Sequence, residues 1–347
     1  MKKYRGAILG CGQVSRHHLR GWEQIEDVEI VALYNRTYSR AVERAQEFGF
    51  PLDHVYSDYL ELLAKEELDF VDIASAPSAH KEQVIAAAKH GYQVLCQKPL
   101  ASTEEDVMEM IAACKAANVL FSVNENWRWR TWYRDIKELL ERNVIGEPRY
   151  IRIIKHSNIT LPGVDGSSPP LTKKQPYTMD LDRLIIFEWG THILDILRFL
   201  FGEIKSVYAS MDKVSQYFKG EDRAVLVMDV NGISAIIDAS WASWNTTSQM
   251  LEQVVIEGDE GKIEILPELG NILRVSSRSE TWERPAFQGD PKDAYQDSYT
   301  AALRHFIDCL RTGEMPETVI EDNYKTVTAT FAAYESADKG QVIYLDR

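Results

Sequence analysis

Two carboxylates and a histidine lie close together in the stretch FEWGTHILD, residues 187–195. If this stretch is helical, Glu188 and His192 lie one turn apart on one face, and Asp195 follows three residues later. A histidine with an ordinary pKa near 6.5 can take a proton from a substrate hydroxyl, and a carboxylate can hold its tautomer or contact the substrate. A helix that merely carries polar residues into a core gives the same spacing, so the stretch alone does not identify a catalytic face.

A second candidate is the glycine-containing stretch AILGCGQVS near the start of the chain. It puts Gly10 and Gly12 between the first predicted strand and the first predicted helix. In such a turn Gly10 allows a tight bend, Gly12 lets the backbone approach a pyrophosphate, and the helix N-terminus offers free N–H groups. Ser15 occupies the third small-residue position. These residues predict a dinucleotide site to which Gln13 and Val14 also contribute.

The end of the second predicted strand, ALYNRT, bears on which dinucleotide is bound. An acidic residue there would accept hydrogen bonds from the adenosine ribose and repel a 2′-phosphate. This chain has Asn35 instead, followed by Arg36 and, one turn later, by Arg40. The pattern favours NADP modestly over NAD as the cofactor. The alternative is that both arginines are solvated residues at the start of a helix.

Composition and charge narrow the class of protein. The chain has 347 residues, of which 45% are hydrophobic and 27% charged, as in ordinary globular proteins. Its 53 acidic and 39 basic residues give a net charge of −14, which argues against nucleic acid or an anionic membrane surface as a partner. No stretch is apolar enough for a membrane span, and the basic N-terminus leads into glycines rather than into a cleavage site.

The four cysteines are widely spaced and form no C-x-x-C pair. Neither a zinc site nor a disulfide framework is therefore predicted. Reduced thiols are typical of the cytoplasm, where we expect the protein to reside.

Residues 1–123 alternate short apolar runs with helical segments. Five runs read as strands: YRGAILG, VEIVALYN, LDFVDIAS, YQVLCQKP and VLFSVNE. The predicted helices are Arg16–Gln24, Ser39–Glu47, Tyr59–Lys65, Ala79–His90 and Thr103–Ala117. This alternation predicts an α/β Rossmann domain with a doubly wound parallel sheet.

Residues 124–347 have a different pattern, which predicts an α+β domain for substrate binding and oligomerisation. A helix at Trp132–Glu141 is followed by a strand-like stretch. Residues 157–180 contain several prolines and glycines, which is typical of a long surface loop, and they are a candidate flap. Five further strand-like stretches separated by short turns predict a large open, mainly antiparallel sheet. Helices at Tyr299–Arg311 and Asn323–Lys339 and a last strand close the chain, and the C-terminal helix could pack back on the first domain.

Four motifs in order along nearly the whole chain carry a family resemblance. They are GCGQVS, SAPSAHKEQVIAAAKHGYQVLCQKPL, GTHILDILRFLFGE and YESADKGQVIYL. Together they resemble the glucose–fructose oxidoreductase, inositol dehydrogenase and rhizopine-catabolism (Gfo/Idh/MocA) family of NAD(P)-dependent sugar oxidoreductases. A set of four ordered motifs is far more specific than any one of them.

The resemblance implies a role for the strand end CQKP. The family has Glu-Lys-Pro there, with the lysine beside the nicotinamide and the substrate, which corresponds to Lys98. Gln97 stands where the family has glutamate, and we expect the loss of that charge to ease a lower pKa for Lys98. The family's proline–histidine loop shapes the cofactor pocket, which adds Ala76, Pro77 and His80 to the predicted cofactor-binding residues.

The resemblance also implies a role for the helix on which the two carboxylates and the histidine lie. The family's Asp-x-x-x-His pair corresponds to Glu188 and His192, with glutamate in place of aspartate. His192 is the predicted base and Glu188 a catalytic and substrate-contacting partner, although Lys98 could instead share or relay the proton. Asp195 is read as a supporting residue.

Several further residues are weaker candidates. Trp127 and Arg128 could grip a sugar, and Glu125 or Asn126 could touch the nicotinamide end of the cofactor; the alternative is packing between the domains. His17 and His18 are expected to face solvent more often than to act. No metal-binding constellation is present in the sequence.

The predicted reaction is reversible hydride transfer between NAD(P) and a carbinol carbon of a sugar, inositol or related polyol. One alternative keeps the cofactor but is redox-neutral, as in NAD-dependent glycosidases, and another is a non-catalytic regulator that senses dinucleotide or sugar. An uncovered sheet face would expose a large apolar patch, so a homodimer or homotetramer is expected.

Overall fold

The computed structural model describes residues 3–244 and 251–345, and the chain divides into two compact units. The first unit contains the chain up to Trp129 together with Tyr295–Tyr324. The second contains Arg130–Ala294 and the chain from Lys325 onward. The sequence predicted one boundary after residue 123, whereas in the structure the chain returns to the first unit over residues 295–324.

Six strands form the sheet of the first unit, and every neighbouring pair is parallel. They are β1 (Tyr4–Leu9), β2 (Val28–Tyr34), β3 (Val55–Tyr56), β4 (Phe70–Ile73), β5 (Gln93–Gln97) and β6 (Phe121–Asn124). Their order is β3-β2-β1-β4-β5-β6, so the sequence of strands reverses between β1 and β4. In open α/β sheets ligands bind outside the carboxyl ends of the strands at such a reversal. The two-residue β3 was not predicted, since it is too short to give a pattern.

Five helices connect these strands. They are α1 (Gln13–Trp22), α2 (Tyr38–Phe48), α3 (Tyr59–Lys65), α4 (Pro77–Lys89) and α5 (Glu104–Ala117). Local sequence fixes their starts: the Asp58 carboxylate accepts from the backbone N–H of Leu60 before α3, and the Thr103 hydroxyl accepts from that of Asp106 in α5. Pro77 occupies the first position of α4, where a missing N–H costs nothing.

Within the described residues of the second unit, nine strands form one sheet. They are β7 (Pro148–His156), β8 (Ile204–Asp212), β9 (Arg223–Val230), β10 (Ile233–Ser240), β11 (Gln253–Gly258), β12 (Gly261–Leu266), β13 (Ile272–Ser277), β14 (Thr281–Pro285) and β15 (Ile343–Tyr344). Their order is β14-β13-β12-β11-β7-β10-β9-β8-β15, with β7 and β10 parallel and the other pairs antiparallel. The predicted open, mainly antiparallel sheet is confirmed.

The residues of β9 alternate strictly between buried and exposed. Leu226 and Met228 point into the core, while Val225 and Val227 are about half exposed on the other face. Tyr208 of β8 pairs with Val227 and is exposed on that same face. We call this the outer face of the sheet.

The remaining helices are α6 (Thr131–Glu141), α7 (Pro170–Lys174), α8 (Thr191–Phe201), α9 (Pro291–Thr312) and α10 (Ile320–Lys339). A π-helical turn, Ile186–Gly190, leads directly into α8. The sequence predicted a regular helix through this stretch. No helix of the described chain is long and apolar enough to cross a lipid bilayer.

Candidate active site

The glycine turn after β1 has the backbone that a dinucleotide site requires. Gly10 has φ +113°, and a Cβ there would lie 2.6 Å from the backbone of Ser75 at the end of β4. A Cβ on Gly12 would meet no described atom within 4 Å. Gly12 also precedes α1 as its N-cap, and no described side chain caps that helix. The turn therefore leaves space and backbone N–H groups for a pyrophosphate.

Two side chains hold the backbone of this turn by hydrogen bonds to the Gly12 carbonyl. The Ser15 side chain is buried, and its hydroxyl donates to the Gly12 carbonyl at 2.7 Å. The buried Arg44 guanidinium donates to the same carbonyl at 2.9 Å and pairs with Glu47. Arg44 was not among the predicted site residues, because a lone arginine on an amphipathic helix is usually solvated. Gln13 and Val14 lie in the first turn of α1, which begins three residues before the predicted helix start at Arg16. Their contact with the cofactor stays a prediction.

Asn35 lies just after β2, and both the oxygen and the nitrogen of its side-chain amide form hydrogen bonds. Its Oδ1 accepts from the backbone N–H of Cys11 at 3.1 Å, and its Nδ2 donates to the Thr37 carbonyl at 2.9 Å. The side chain thus ties the glycine turn to the end of β2. Arg36 and Arg40 are exposed after it. No acidic side chain therefore stands directly after β2 at this position.

His80 fixes the loop between β4 and α4. The ring is fully buried, with Nδ1 3.1 Å from the Leu100 carbonyl oxygen and Nε2 3.1 Å from that of Ser75. Burial lowers the pKa of His80 to about 4, so the ring is neutral at pH 7. A neutral ring has one N–H, so it donates to one of these two carbonyl oxygens and packs against the other. Ala76 is the N-cap residue of α4, and Pro77 begins that helix.

Lys98 follows β5 directly, at the carboxyl edge of the parallel sheet, and its peptide bond to Pro99 is cis. Its backbone N–H donates to Gln97 Oε1 at 2.8 Å. Gln97 Nε2 lies 3.0 Å from Nε2 of His18. The site residues Gly10, Asn35, His80 and Lys98 therefore all lie at the edge where the strands of this sheet end.

The prediction that His18 faces solvent was wrong. Its side chain is fully buried, and its Nδ1 lies 2.8 Å from a carboxylate oxygen of Asp72 in β4. The helix α1 packs this face against the sheet, so a polar residue at the position was not a sign of exposure. The neighbouring His17 is half-buried and contacts Gln296 through its Nδ1.

Trp127 and Arg128 lie in a 3-10 turn, Asn126–Trp129, that follows β6, and both are buried. The Arg128 guanidinium donates to Asp322 at 2.7 Å and to the Glu317 carbonyl at 2.9 Å, all within the first unit. These contacts favour a supporting part for Arg128. Contact of Trp127 or Arg128 with substrate stays a prediction.

In the second unit Glu188 lies in the π-helical turn and His192 in the first turn of α8, and both side chains are buried. A π turn is wider than an α turn and occurs often at functional sites. The Tyr177 hydroxyl donates to Glu188 Oε1 at 3.2 Å. Asp195, fully buried, accepts from the Thr326 hydroxyl of α10, which suits a supporting residue. Tyr177 was not among the predicted site residues, since nothing in its spacing links it to Glu188.

Within residues 3–244 and 251–345, no group of three or more His, Cys, Asp or Glu side chains is placed to hold a metal ion. The residues of the first unit instead fit a dinucleotide, and those of the second unit include a histidine beside a carboxylate-bearing turn. This combination of fold and site residues is that of a nicotinamide-dependent oxidoreductase.

Comparison with known proteins names the family. Residues 4–125 match the model of an oxidoreductase family with an NAD-binding Rossmann fold, and residues 133–264 match the GFO/IDH/MocA C-terminal domain. The chain belongs to this family, which confirms the predicted family, fold class and enzyme class.

Three relatives illustrate the similarity. The chain is 35% identical to D-apiose dehydrogenase of Paraburkholderia graminis, over 99% of this chain and 90% of that protein. It is 26% identical to myo-inositol 2-dehydrogenase of Thermotoga maritima, over 99% and 98% respectively. Its structure matches that of an oxidoreductase from Agrobacterium radiobacter in complex with NAD+, L-tartaric acid and magnesium, with a TM-score of 0.91, 31% identity, and 99% and 98% of the two chains covered.

Proposed function

We propose that the protein catalyses reversible oxidation of a carbinol carbon in a sugar, inositol or related polyol. The observation that carries this proposal is the position of Lys98, at the carboxyl edge of a parallel sheet whose glycine turn is open to a pyrophosphate. The names of the relatives, D-apiose dehydrogenase and myo-inositol 2-dehydrogenase, support a sugar or polyol as substrate.

Two residues are proposed to handle the substrate hydroxyl. His192 takes its proton as the carbon–hydrogen bond breaks and the carbonyl forms, and Lys98 donates a hydrogen bond to the same oxygen. When bound, the nicotinamide accepts the hydride. Glu188 orients the substrate or the histidine. The reverse reaction returns the proton from His192 to the developing alkoxide.

Gly10, Gly12 and the first turn of α1 are proposed to bind the pyrophosphate, and Asn35 and Arg36 the adenosine ribose. The amide of Asn35 brings no negative charge to a 2′-phosphate, and the exposed Arg36 offers it a cation. These features support NADP modestly over NAD.

The substrate is tested with a panel of sugars and polyols, beginning with D-apiose and the inositols, each with NAD+ and NADP+. We expect nicotinamide absorbance to rise with at least one of them. A net rise also separates this proposal from the redox-neutral alternative, which would turn over substrate with no net cofactor reduction. No absorbance change across the panel, in either direction of reaction, would contradict the proposal.

On an identified substrate, Lys98→Ala and His192→Ala are each expected to lower kcat/KM by about 100-fold or more, the usual contribution of a proton-transfer group. Lys89→Ala and His90→Asn remove the same side-chain types from the exposed end of α4 and serve as controls. The catalytic assignment fails if both site variants keep wild-type turnover.

A homo-oligomer is proposed to form through the outer face of the nine-stranded sheet. Tyr208, Val225 and Val227 expose apolar area there, which supports contact with a second copy. A reducing compartment, the cytoplasm, is proposed because each of the four cysteines is a buried free thiol.

A further inference from the structure

We propose that His18, held by Asp72, is a positioning residue for Lys98. It acts through Gln97, as a neutral imidazole that carries its proton on Nδ1. This inference rests on the proposed function of Lys98 in the reaction. It is carried by a chain of hydrogen bonds in which the donor and acceptor at every step can be assigned from chemistry alone.

The backbone N–H of Lys98 fixes the orientation of the Gln97 amide. A peptide N–H can only donate, so the Gln97 atom 2.8 Å from it is the carbonyl oxygen Oε1. The other atom of that amide is then the NH2 group, which also can only donate. It lies 3.0 Å from His18 Nε2. That ring nitrogen must therefore accept, and an accepting imidazole nitrogen carries no proton.

The other end of this chain of hydrogen bonds is Asp72, in β4 in the middle of the sheet. His18 Nδ1 is 2.9 and 2.8 Å from the two oxygens of Asp72, and Trp22 Nε1 donates to the same carboxylate at 2.7 Å. Asp72 is fully buried in β4, where a carboxylate without donors would be costly. Because a carboxylate accepts, the proton of His18 is on Nδ1, in agreement with the assignment from Lys98.

The consequence is a fixed direction for the end of β5. Gln97 has a flexible side chain, but it is held at both ends of its amide, by the Lys98 N–H and by His18. Asn124 at the end of β6 approaches the same ring nitrogen with Nδ2 at 3.2 Å. His18 thus joins the ends of two adjacent strands and sets where the chain leaves the sheet at Lys98.

The hydrogen-bond chain also determines the total charge that residues 18, 72 and 97 place beside Lys98. A glutamate at position 97 would accept from Lys98 and from His18, which requires a proton on both ring nitrogens. Asp72, an imidazolium and that glutamate would together carry one negative charge. The total is also one negative charge in this protein, where Asp72 is ionised and both His18 and Gln97 are neutral. The negative charge that is lost when glutamine replaces glutamate at position 97 is therefore offset, because His18 also loses one proton.

The tautomer is tested by nitrogen NMR of histidine-labelled protein without cofactor or substrate. The His18 signals are assigned by their absence from His18→Asn. We expect a neutral ring protonated on Nδ1 at neutral pH, and a ring protonated on both nitrogens in Gln97→Glu. A wild-type His18 protonated on Nε2, or a Gln97→Glu spectrum unchanged from wild type, would overturn the inference.

The positioning role is tested by a pair of variants on the identified substrate. Asparagine reaches only the Nδ1 position and keeps a donor to Asp72, whereas glutamine can put its carbonyl oxygen where Nε2 accepts from Gln97. We expect His18→Asn to lower kcat by about 10-fold with KM within about twofold of wild type, since misplacement of a reacting group lowers the rate steeply. We expect His18→Gln to recover most of that loss.

His17→Asn makes the same change one residue earlier on α1 and is expected to leave kcat unchanged. Thermal unfolding of all three variants separates positioning from stability: a role in stability alone would lower kcat in proportion to the loss of folded protein. Wild-type kcat in His18→Asn, or equal losses in both His18 variants, contradicts the positioning role. If Lys98→Ala retains turnover while the tautomer is as expected, the proposed function of Lys98 has failed and the hydrogen-bond chain has not.

Discussion

Asn35 carries an amide at the position where a carboxylate would select NAD. An aspartate could still accept from the Cys11 N–H but would face a bound 2′-phosphate with a negative charge. We expect Asn35→Asp to lower kcat/KM for NADP relative to NAD by about 10-fold or more, an ordinary size for one added charge repulsion. Steady-state kinetics with both cofactors measures the ratio.

Asn143→Asp adds the same charge at an exposed turn of the second unit and is the matched control. Its NADP-to-NAD ratio should equal that of wild type. An unchanged ratio in Asn35→Asp would remove Asn35 from the proposed cofactor-binding residues.

His80 makes stability depend on pH. Burial lowers its pKa from 6.5 to about 4, so the unfolded chain binds a proton more readily than the folded one between those values. Folded stability from this residue is thus full above pH 6.5 and decreases as the pH falls. We expect a loss of about 2 kcal/mol between about pH 7.5 and about pH 5, from 1.36 kcal/mol per pKa unit.

Urea unfolding midpoints at the two pH values test this. In His80→Asn the residue no longer titrates, so the midpoint should fall less with acidification than it does in wild type. His90→Asn, at the exposed C-terminal end of the same helix, should behave as wild type. Equal pH dependence in wild type and His80→Asn would contradict the role assigned to burial of this ring.

The segment of residues 157–180 is attached to the rest of the second unit by hydrogen bonds near both of its ends. Near its start the Thr160 hydroxyl donates to buried Asp222 at 2.9 Å. Near its end Tyr177 donates to Glu188 on the π-helical turn. Burial raises the pKa of the Tyr177 hydroxyl, so it remains a donor well into the alkaline range. The segment therefore supplies a hydrogen bond that holds one oxygen of Glu188.

Tyr177→Phe removes that hydrogen bond and little else. Since one lost hydrogen bond to a charged group costs about 1.5 kcal/mol or more, we expect kcat/KM to fall by roughly 10-fold, with a small change in melting temperature. Tyr217→Phe removes the hydroxyl of another tyrosine of the same unit and should leave kcat/KM as it is. Wild-type kcat/KM in Tyr177→Phe would mean that Glu188 does not depend on the segment of residues 157–180.

The elements that the sequence predicted well are those with a full period of apolar residues. Helix α3 begins and ends where it was predicted, and five strands of the first sheet were found from apolar runs alone. The two-residue β3 has no period to detect, and β14 carries mostly exposed residues. The π-helical turn before α8 was read as α-helix, because its residues have the same apolar periodicity.

The site was predictable only in part for a related reason. Gly10, Gly12 and Lys98 occupy positions that motifs mark in the sequence. His18 and Asp72 are linked by a contact between residues 54 positions apart in the chain. Tyr177 lies 11 residues before Glu188, within a segment that was not predicted to be helical or strand-like. A single sequence carries no signal for such pairs, and a buried polar residue on a helix looks like a solvated one.

The nine-stranded sheet leaves apolar residues exposed on its outer face. Tyr208, Val225 and Val227 are 41%, 44% and 46% exposed, and β9 also carries the charged Arg223 and Asp229 on that face. In a two-fold contact through such a face, residue i of one copy meets residue j of the other, and j meets i. Apolar centres with charges of both signs around them suit this self-complementary contact.

Val227→Glu tests the proposed oligomer. In a two-fold interface the new carboxylate would be buried in both copies without a partner, which costs far more than the same charge on a free surface. We expect wild type to sediment as a dimer or tetramer and Val227→Glu as a monomer. Met108→Glu puts the same charge at a comparably exposed apolar residue on α5 in the first unit, so it should leave the assembly intact. A monomeric wild type, or a Val227→Glu variant that keeps the wild-type mass, would contradict assembly through the outer face. A monomeric variant with normal far-ultraviolet circular dichroism would establish that the charge disrupts association and not folding.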